Sequence, residues 1–277
     1  MLKRIMTSVI GIAIGLVILC FSHTIVVNIV IALLSCCACF ELFRALKCLD
    51  NKTMTGISLG YSAVMPFVYL LYQKTGKHIS LDIASILFVT AICTAYLPKH
   101  KKMPFEKFFF VLSVPLFVSY SLNSIYLTAR MSDQHCPVYI ALILCGAWIA
   151  DSAAFFTGTF LGKHKLCPGI SPKKTIEGFI GGVLGNGIFF VLFNLVYVTF
   201  FAKNCGVNYV SSFFLGVICA LIGTVGDLTA SLIKRNTGIK DFGKIMPGHG
   251  GIVDRFDSVF FVAPFMYAYL SLFNIYV

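Results

Sequence analysis

Residues 176–201 read IEGFIGGVLGNGIFFVLFNLVYVTFF, and this stretch indicates the class of fold most clearly. Its only charged residue is Glu177, and the 24 residues that follow contain no Asp, Glu, Lys or Arg. A helix needs about 20 predominantly apolar residues to cross the hydrocarbon core of a bilayer. The stretch therefore predicts a transmembrane helix.

The same pattern recurs along the chain of 277 residues, of which 58% are hydrophobic and 12% charged. Soluble domains contain about 25% charged residues, so a soluble protein is excluded. We predict an all-α polytopic membrane protein with about nine transmembrane helices in a single integral membrane domain, 1–277. Spans one to five occupy 1–133, and spans six to nine occupy 134–277 with both motif blocks. The predicted spans are 5–21, 25–40, 56–72, 79–97, 108–128, 138–160, 176–201, 209–233 and 258–276.

Basic residues predict the orientation of these spans. With the N-terminus in the cytoplasm, 18 of the 22 Lys and Arg residues fall on the cytoplasmic side. Cytoplasmic loops collect Lys and Arg, so this topology places the C-terminus outside. It also accounts for the net charge of +11 without a nucleic-acid partner. Most of the eleven cysteines, including Cys36 and Cys39, lie in apolar runs and are interpreted as small hydrophobic residues.

Six carboxylates follow Asp133, and all lie in two blocks of sequence. Asp151, Glu177 and Asp227 lie inside or at the edge of apolar runs, where an ionised side chain is costly and usually functional. The alternative is a buried ion pair that holds the helices together. Because the carboxylates cluster with basic residues on one membrane side, we favour a functional site.

The first block contains Asp151 and the sequence SPKKTIEG, residues 171–178. Ser as an N-cap followed by Pro predicts a helix that begins there. Its free backbone N–H groups and two lysines would then form an anion site suited to phosphate. An ordinary basic helix start that contacts lipid headgroups is an equal alternative. The candidate substrate-binding residues of this block are Asp151, Ser171, Lys173, Lys174, Thr175 and Glu177.

The second block reads GDLTASLIKR at 226–235, continues through Lys240 and Asp241, and ends PGHGGIVDRFDS at 247–258. Helical spacing places Asp227, Ser231, Lys234 and Arg235 on one face, and Asp254 and Asp257 on another. Carboxylates of this kind suit Mg²⁺, which completes its shell with water and substrate phosphate. The block therefore indicates phosphoryl or nucleotidyl transfer. The candidates beside the aspartates are Ser231, Lys234, Arg235, Lys240, His249 and Arg255. His249 is a general base, a hydrogen-bond donor to phosphate or a loop residue that binds only backbone, and the sequence does not distinguish these roles.

The second block matches the signature of the phosphatidate cytidylyltransferase (CDP-diacylglycerol synthase) family. The first block is similar to another stretch typical of that family, and the opening MLKR with Glu41–Arg44 resembles bacterial members. One departure is Phe155, where the family often has Tyr. The resemblance is strongest over 148–258 and extends over the whole chain.

The resemblance implies that CTP and phosphatidic acid give CDP-diacylglycerol and pyrophosphate. It also implies a divalent Mg²⁺ beside a monovalent K⁺, held by Asp227, Asp254 and Asp257, with Asp241 as a secondary candidate. A homodimer is implied too. We expect a bacterial cytoplasmic membrane protein whose active site faces the cytoplasm, where CTP is found. The alternatives are a polyprenol-type lipid kinase and an ion-coupled transporter.

Overall fold

The structure is a computed structural model that describes residue 15 and residues 18–203, 205–246, 248 and 250–276. Seven of its helices are long and apolar enough to cross a membrane, which confirms an all-α polytopic membrane protein. Apart from residues 15 and 18–21, the first predicted span lies outside the described residues. The count of nine spans and the orientation of the termini therefore stay predictions.

The other eight predicted spans coincide with helices whose bounds lie within about five residues of the predicted ones, and the last of these helices is shorter than the other seven. From residue 26 onward, the described residues form the helices α1 (Val26–Ala45), α2 (Lys52–Thr75), α3 (Ile79–Tyr96), α4 (Phe105–Ala129), α5 (Cys136–Leu161), α6 (Ile176–Phe200), α7 (Tyr209–Thr237), α8 (Val253–Phe256) and α9 (Val259–Leu272). A short 3-10 helix, Leu97–Lys99, follows α3. Beyond α9 the chain pairs with the segment before α7, where the Asn208 amide donates to the Ile275 carbonyl at 2.9 Å.

The chain forms two compact units. The first comprises Met1–Leu127 and Asn236–Phe256, and the second comprises Thr128–Arg235 and Asp257–Val277. The predicted division into 1–133 and 134–277 stays a prediction.

In the first unit, polar side chains join apolar helices. The Asn28 amide on α1 donates to the Pro66 carbonyl on α2 at 2.8 Å, and the Ser58 hydroxyl on α2 donates to the Val111 carbonyl on α4 at 3.1 Å. Water does not compete for such groups inside a bilayer, so these bonds fix the packing of α1, α2 and α4.

In the second unit, glycines bring α5 and α6 into backbone contact. A Cβ added at Gly178 or Gly182 would lie 2.7 or 2.8 Å from the carbonyl oxygens of Ala154 and Ala150. Small residues allow membrane helices to approach closely, so the glycines of the 176–201 stretch determine this packing. The Asn186 side chain then donates to the carbonyls of Gly146 and Gly216, which joins α6 to both α5 and α7.

The predicted helix start at Ser171 is wrong. Residues Ser171–Thr175 form strand β2, which pairs antiparallel with β1 (Lys165–Cys167), and α6 begins at Ile176. The N-cap is Thr175, whose extended backbone lets its hydroxyl accept from the Gly178 amide at 3.1 Å. Pro172 is tolerated because each strand of a two-stranded hairpin has an unpaired edge. The two lysines therefore lie on a strand, and the predicted anion site in a first helical turn is not formed there.

The prediction that Asp254 and Asp257 share a helix face is also wrong. Helix α8 ends at Phe256, and Asp257 lies in the turn before α9. The Asp254 carboxylate binds backbone amides in front of its own short helix, and four residues supply only one helical turn. The aspartates of the signature therefore belong to separate local structures.

Candidate active site

Three elements of the second unit bring two carboxylates to one lysine. Lys174 Nζ on β2 lies 2.5 Å from Asp227 Oδ2 on α7 and 3.9 Å from Asp151 Oδ1 on α5. The Lys174 and Asp227 side chains are only 25% and 23% exposed. Reduced contact with water strengthens this ion pair compared with one on the surface. The hairpin thus places Lys174, a predicted phosphate ligand, against Asp227, a predicted catalytic residue, and Asp151, a predicted substrate-binding residue.

A third carboxylate, Asp257, belongs to the same cluster. It is 9% exposed and one of its oxygens accepts from the Ser258 amide at 2.8 Å. Burial raises its pKa from the ordinary 3.8 to about 7, and the negative charges of Asp227 and Asp151 act in the same direction. The Ser258 hydrogen bond and the positive charge of Lys234 oppose the rise. The carboxylates of the cluster therefore carry more negative charge than its single lysine neutralises. We call Asp151, Lys174, Asp227 and Asp257 the carboxylate cluster.

Gly226 sets the approach of α7 to the turn that carries Asp257. A Cβ at this position would lie 2.6 Å from the Asp257 carbonyl oxygen and 3.1 Å from Ser258 Cα. Only a residue without a side chain permits this contact. The Gly226-Asp227 pair in the sequence therefore combines a close approach with the carboxylate that the approach positions.

Other predicted residues of the second unit fasten its loops. The Glu177 carboxylate accepts from the backbone amides of Lys163 and His164 and lies 2.6 Å from His164 Nδ1. Arg235 Nε donates to the Ile170 carbonyl at 3.2 Å, which ties the end of α7 to the β1–β2 connection. Thr175 is buried as the cap of α6, while Ser171 and Ser231 are half-buried and Lys173 is exposed. Lys234 also reaches the cluster electrostatically.

In the first unit, Asp254 holds the loop before α8, of which residues 242–246, 248 and 250–252 are described and which we call the glycine-rich loop. Its Oδ2 accepts from the amides of Phe242 and Gly251 at 2.8 and 2.9 Å. Gly250 has a φ of +90°, and a Cβ there would contact the Asp254 carboxylate. Lys240, Asp241 and Arg255 are exposed. Pro247 and His249 lie outside the described residues, so the role predicted for His249 stays a prediction.

Glu41 is a functional candidate that is absent from the predicted site residues, although Glu41–Arg44 is part of the family resemblance. It is 1% exposed, and its Oε2 accepts from the Val253 amide at 2.9 Å. Its carboxylate also fills the space that a side chain at Gly243 or Gly251 would need. Arg44, one turn later on α1, donates to the Phe242 carbonyl. A lone Glu at the end of the apolar run 25–40 was the available signal.

The donor set of the carboxylate cluster fits a divalent cation. Among the described residues, no group of three or more His, Cys, Asp or Glu side chains is placed to hold a metal by itself. Magnesium commonly takes one or two carboxylates and fills its shell with water and substrate phosphates. Asp227 and the buried Asp257 supply that number, and their mutual repulsion is relieved by a cation. Asp254 belongs to the other unit, and its role as a third ligand stays a prediction.

Comparisons with known proteins cover almost the entire chain. A family model described as "Cytidylyltransferase family" matches residues 2–273. The phosphatidate cytidylyltransferase of Bacillus subtilis (strain 168) is 32% identical over 276 residues, which are 99% of each chain. Proteins of the same name from Staphylococcus haemolyticus (strain JCSC1435) and Staphylococcus aureus (strain COL) are 36% and 38% identical. Each of these two matches covers 74% of this chain and 76% of the relative.

Proposed function

Because the chain belongs to the cytidylyltransferase family, we propose that it makes CDP-diacylglycerol and pyrophosphate from CTP and phosphatidate at the carboxylate cluster. The family match over residues 2–273 supports the reaction. The observation that supports the location is the juxtaposition of Lys174 with Asp227 and Asp151, next to the buried Asp257. These residues come from both sequence blocks that carry the family resemblance.

The proposed reaction is a displacement at the α-phosphorus of CTP. A phosphatidate phosphate oxygen forms a bond to that phosphorus, the bond to the bridging oxygen of the β-phosphate breaks, and pyrophosphate leaves with the electron pair. The attacking oxygen is already anionic, so no strong general base is required. Catalysis then depends on alignment and on neutralising the phosphate charges.

The residues of the cluster have distinct proposed tasks. Lys174 screens Asp227 and Asp151 in the absence of substrate, and its ammonium is available to phosphate oxygens when the triphosphate enters. Lys234, on the same face of α7 as Asp227, adds a second positive charge. Ser171, Ser231 and Arg235 border these groups in sequence and are proposed to contact substrate phosphates, whereas the role predicted for the exposed Lys173 stays a prediction.

We propose Mg²⁺ as the divalent cofactor, held by Asp227 and Asp257. When bound, it would neutralise phosphate charge and favour departure of pyrophosphate. A monovalent K⁺ and the participation of Asp254 and Asp241 are further proposals that rest on the family resemblance.

The proposed setting is the cytoplasmic membrane of a bacterium. The chain is an integral membrane protein by its long apolar helices, and its relatives are bacterial. The bias of 18 of 22 basic residues supports an active site that faces the cytoplasm. We further propose a homodimer, from the resemblance alone.

Nucleotide specificity tests the reaction. Detergent-purified protein is given phosphatidate and Mg²⁺ with CTP, ATP, GTP or UTP, and both pyrophosphate and nucleoside diphosphate are measured. We expect pyrophosphate with CTP, dependent on both lipid and metal. A nucleoside diphosphate in place of pyrophosphate would contradict the proposal and favour a lipid kinase.

A further inference from the structure

A cavity of about 470 Å³ lies in the first unit, between the connection from α1 to α2 and the connection from α3 to α4. Its walls include Asp50, Asn51, Lys99, Lys102 and Lys107. None of these residues belongs to the carboxylate cluster or to the glycine-rich loop. The cavity therefore needs a separate explanation.

The charged groups of the cavity leave an excess of positive charge. Lys107 Nζ lies 2.6 Å from Asp50, the only acidic residue of the lining. Lys99 Nζ donates to Asn51 Oδ1 at 2.7 Å, which uses one of its three N–H bonds and neutralises no charge. The exposed Lys102 ammonium has no hydrogen bond or ion pair within the described part of the chain. Three ammonium groups thus face one carboxylate.

Asn51 adds a further unused donor. It is the N-cap of α2, and its Oδ1 accepts from the Met54 amide at 3.4 Å as well as from Lys99. The residue is 8% exposed, and its buried Nδ2 has no hydrogen-bond partner among the described residues. A buried donor without a partner is unfavourable, and the N-terminus of a helix favours negative charge. The unused hydrogen-bonding capacity around the cavity is therefore mainly that of donors, which selects an anion.

We infer that this cavity binds the phosphate-bearing headgroup of an anionic phospholipid. Four apolar helices, α1 to α4, begin or end at the two connections, which places them at the level of the headgroups if the helices span the bilayer. Basic groups in that layer attract anionic lipids. The site is separate from the proposed chemistry and does not rest on it.

The test compares two neighbouring lysines in the full-length protein. Lys102 lines the cavity, whereas Lys101 is also exposed, carries the same charge and is not part of the lining. Wild type, Lys102→Gln and Lys101→Gln are placed in phosphatidylcholine nanodiscs that contain phosphatidylglycerol, which is not a substrate of the proposed reaction. Binding of phosphatidylglycerol is measured by native mass spectrometry of the protein released from the discs.

We expect Lys102→Gln to weaken phosphatidylglycerol binding about tenfold, the usual effect of losing one charge-assisted hydrogen bond. Lys101→Gln should change it by less than about twofold, as for a solvent-exposed charge. Equal losses in the two variants would indicate unspecific attraction and overturn the site. Binding of soluble glycerol 3-phosphate at the same lysine, without retained lipid, would overturn the lipid assignment in favour of a free phosphate ligand. Pyrophosphate release with CTP and phosphatidate is recorded in parallel, so a failed reaction and a failed lipid site give different results.

Discussion

Asp257 is the residue on which function and stability conflict. It is buried beside Asp227 and Asp151, so its ionised form is disfavoured in the folded protein without a bound cation. A buried carboxylate with a raised pKa in a cleft is a feature of functional sites. The conflict predicts opposite effects of one substitution on activity and on stability.

Asp257→Asn should abolish activity and stabilise the metal-free protein. The pKa of Asp257 is about 7 in the folded state and near 3.8 when unfolded, so the unfolded state loses its proton first as the pH rises. The free energy of unfolding of the wild type therefore falls as the pH rises from about 4 to 7. The variant has no carboxyl group at this position, so its free energy of unfolding does not show this fall. We expect the variant to gain roughly 1–3 kcal/mol at pH 7. Thermal unfolding in detergent with a chelator, from pH 5 to pH 8, checks this, and parallel curves for the two proteins would contradict it.

Lys174 and its neighbour Lys173 make a second residue-scale test. Lys174 neutralises Asp227 and Asp151, whereas Lys173 is exposed on the other side of β2. Lys174→Gln should lower kcat/KM about a hundredfold, since removal of one preorganised charged donor typically has an effect of this size. Lys173→Gln should lower it by less than about fivefold. Steady-state pyrophosphate release measures kcat/KM of both variants. A larger loss for Lys173→Gln than for Lys174→Gln would indicate that phosphate binds at the exposed face of the strand, which contradicts the proposal.

At the scale of elements, the positions of most helices could be predicted because a bilayer restricts which sequences can cross it. Spanning helices need long apolar stretches, and 176–201 shows this as clearly as any segment. The β1–β2 hairpin was missed because Ser-Pro is a common helix start, whereas the pairing of Lys165 with Thr175 is a tertiary contact. Likewise, spacing alone did not reveal that α8 stops before Asp257. The motifs allowed candidate site residues to be predicted, but they did not predict which side chains and backbone groups those residues contact.

The approach of α7 to the Asp257 turn depends on Gly226. Gly226→Ala places a Cβ 2.6 Å from a backbone oxygen, so α7 must shift and Asp227 must move with it. We expect a loss of roughly 1–3 kcal/mol in stability and a large loss of activity. Gly223→Ala, one turn earlier on α7, is the matched control because its nearest contact would be an ordinary 3.4 Å. The unfolding temperature and the turnover rate are measured for both variants. Equal values for Gly226→Ala and Gly223→Ala would show that the close approach of α7 to the Asp257 turn is unimportant.

Glu41 fixes the glycine-rich loop to α1. Glu41→Ala leaves the Val253 amide without its acceptor, which should cost roughly 1–3 kcal/mol and lower turnover. Glu41→Gln keeps an acceptor oxygen of the same shape and should recover part of both losses. Glu106→Ala, at an exposed position in the first turn of α4, is the control for loss of a carboxylate. If the three variants unfold at the same temperature, the loop does not depend on Glu41.

At the scale of the whole molecule, the chain combines a lipid-embedded helical scaffold with a small number of charged residues. Only 12% of the residues are charged, and the proposed site uses some of those that lie within or beside the helices. The family of the chain could be recognised from the signature at 226–258 alone. The ion pair that links the two sequence blocks could not be inferred in the same way, because residues 174 and 227 are far apart in sequence and meet only through the packing of the helices.

The role of the carboxylate cluster as the active site is tested by Mg²⁺-dependent pyrophosphate release from CTP and phosphatidate, measured for wild type, Asp257→Asn and Asp133→Asn. Asp133 is an exposed residue of the second unit outside the cluster, and its loss removes the same charge. We expect wild type and Asp133→Asn to release pyrophosphate at similar rates. For a folded Asp257→Asn protein we expect the rate to fall at least about a hundredfold. Wild-type turnover by Asp257→Asn would contradict the assignment of the carboxylate cluster as the active site.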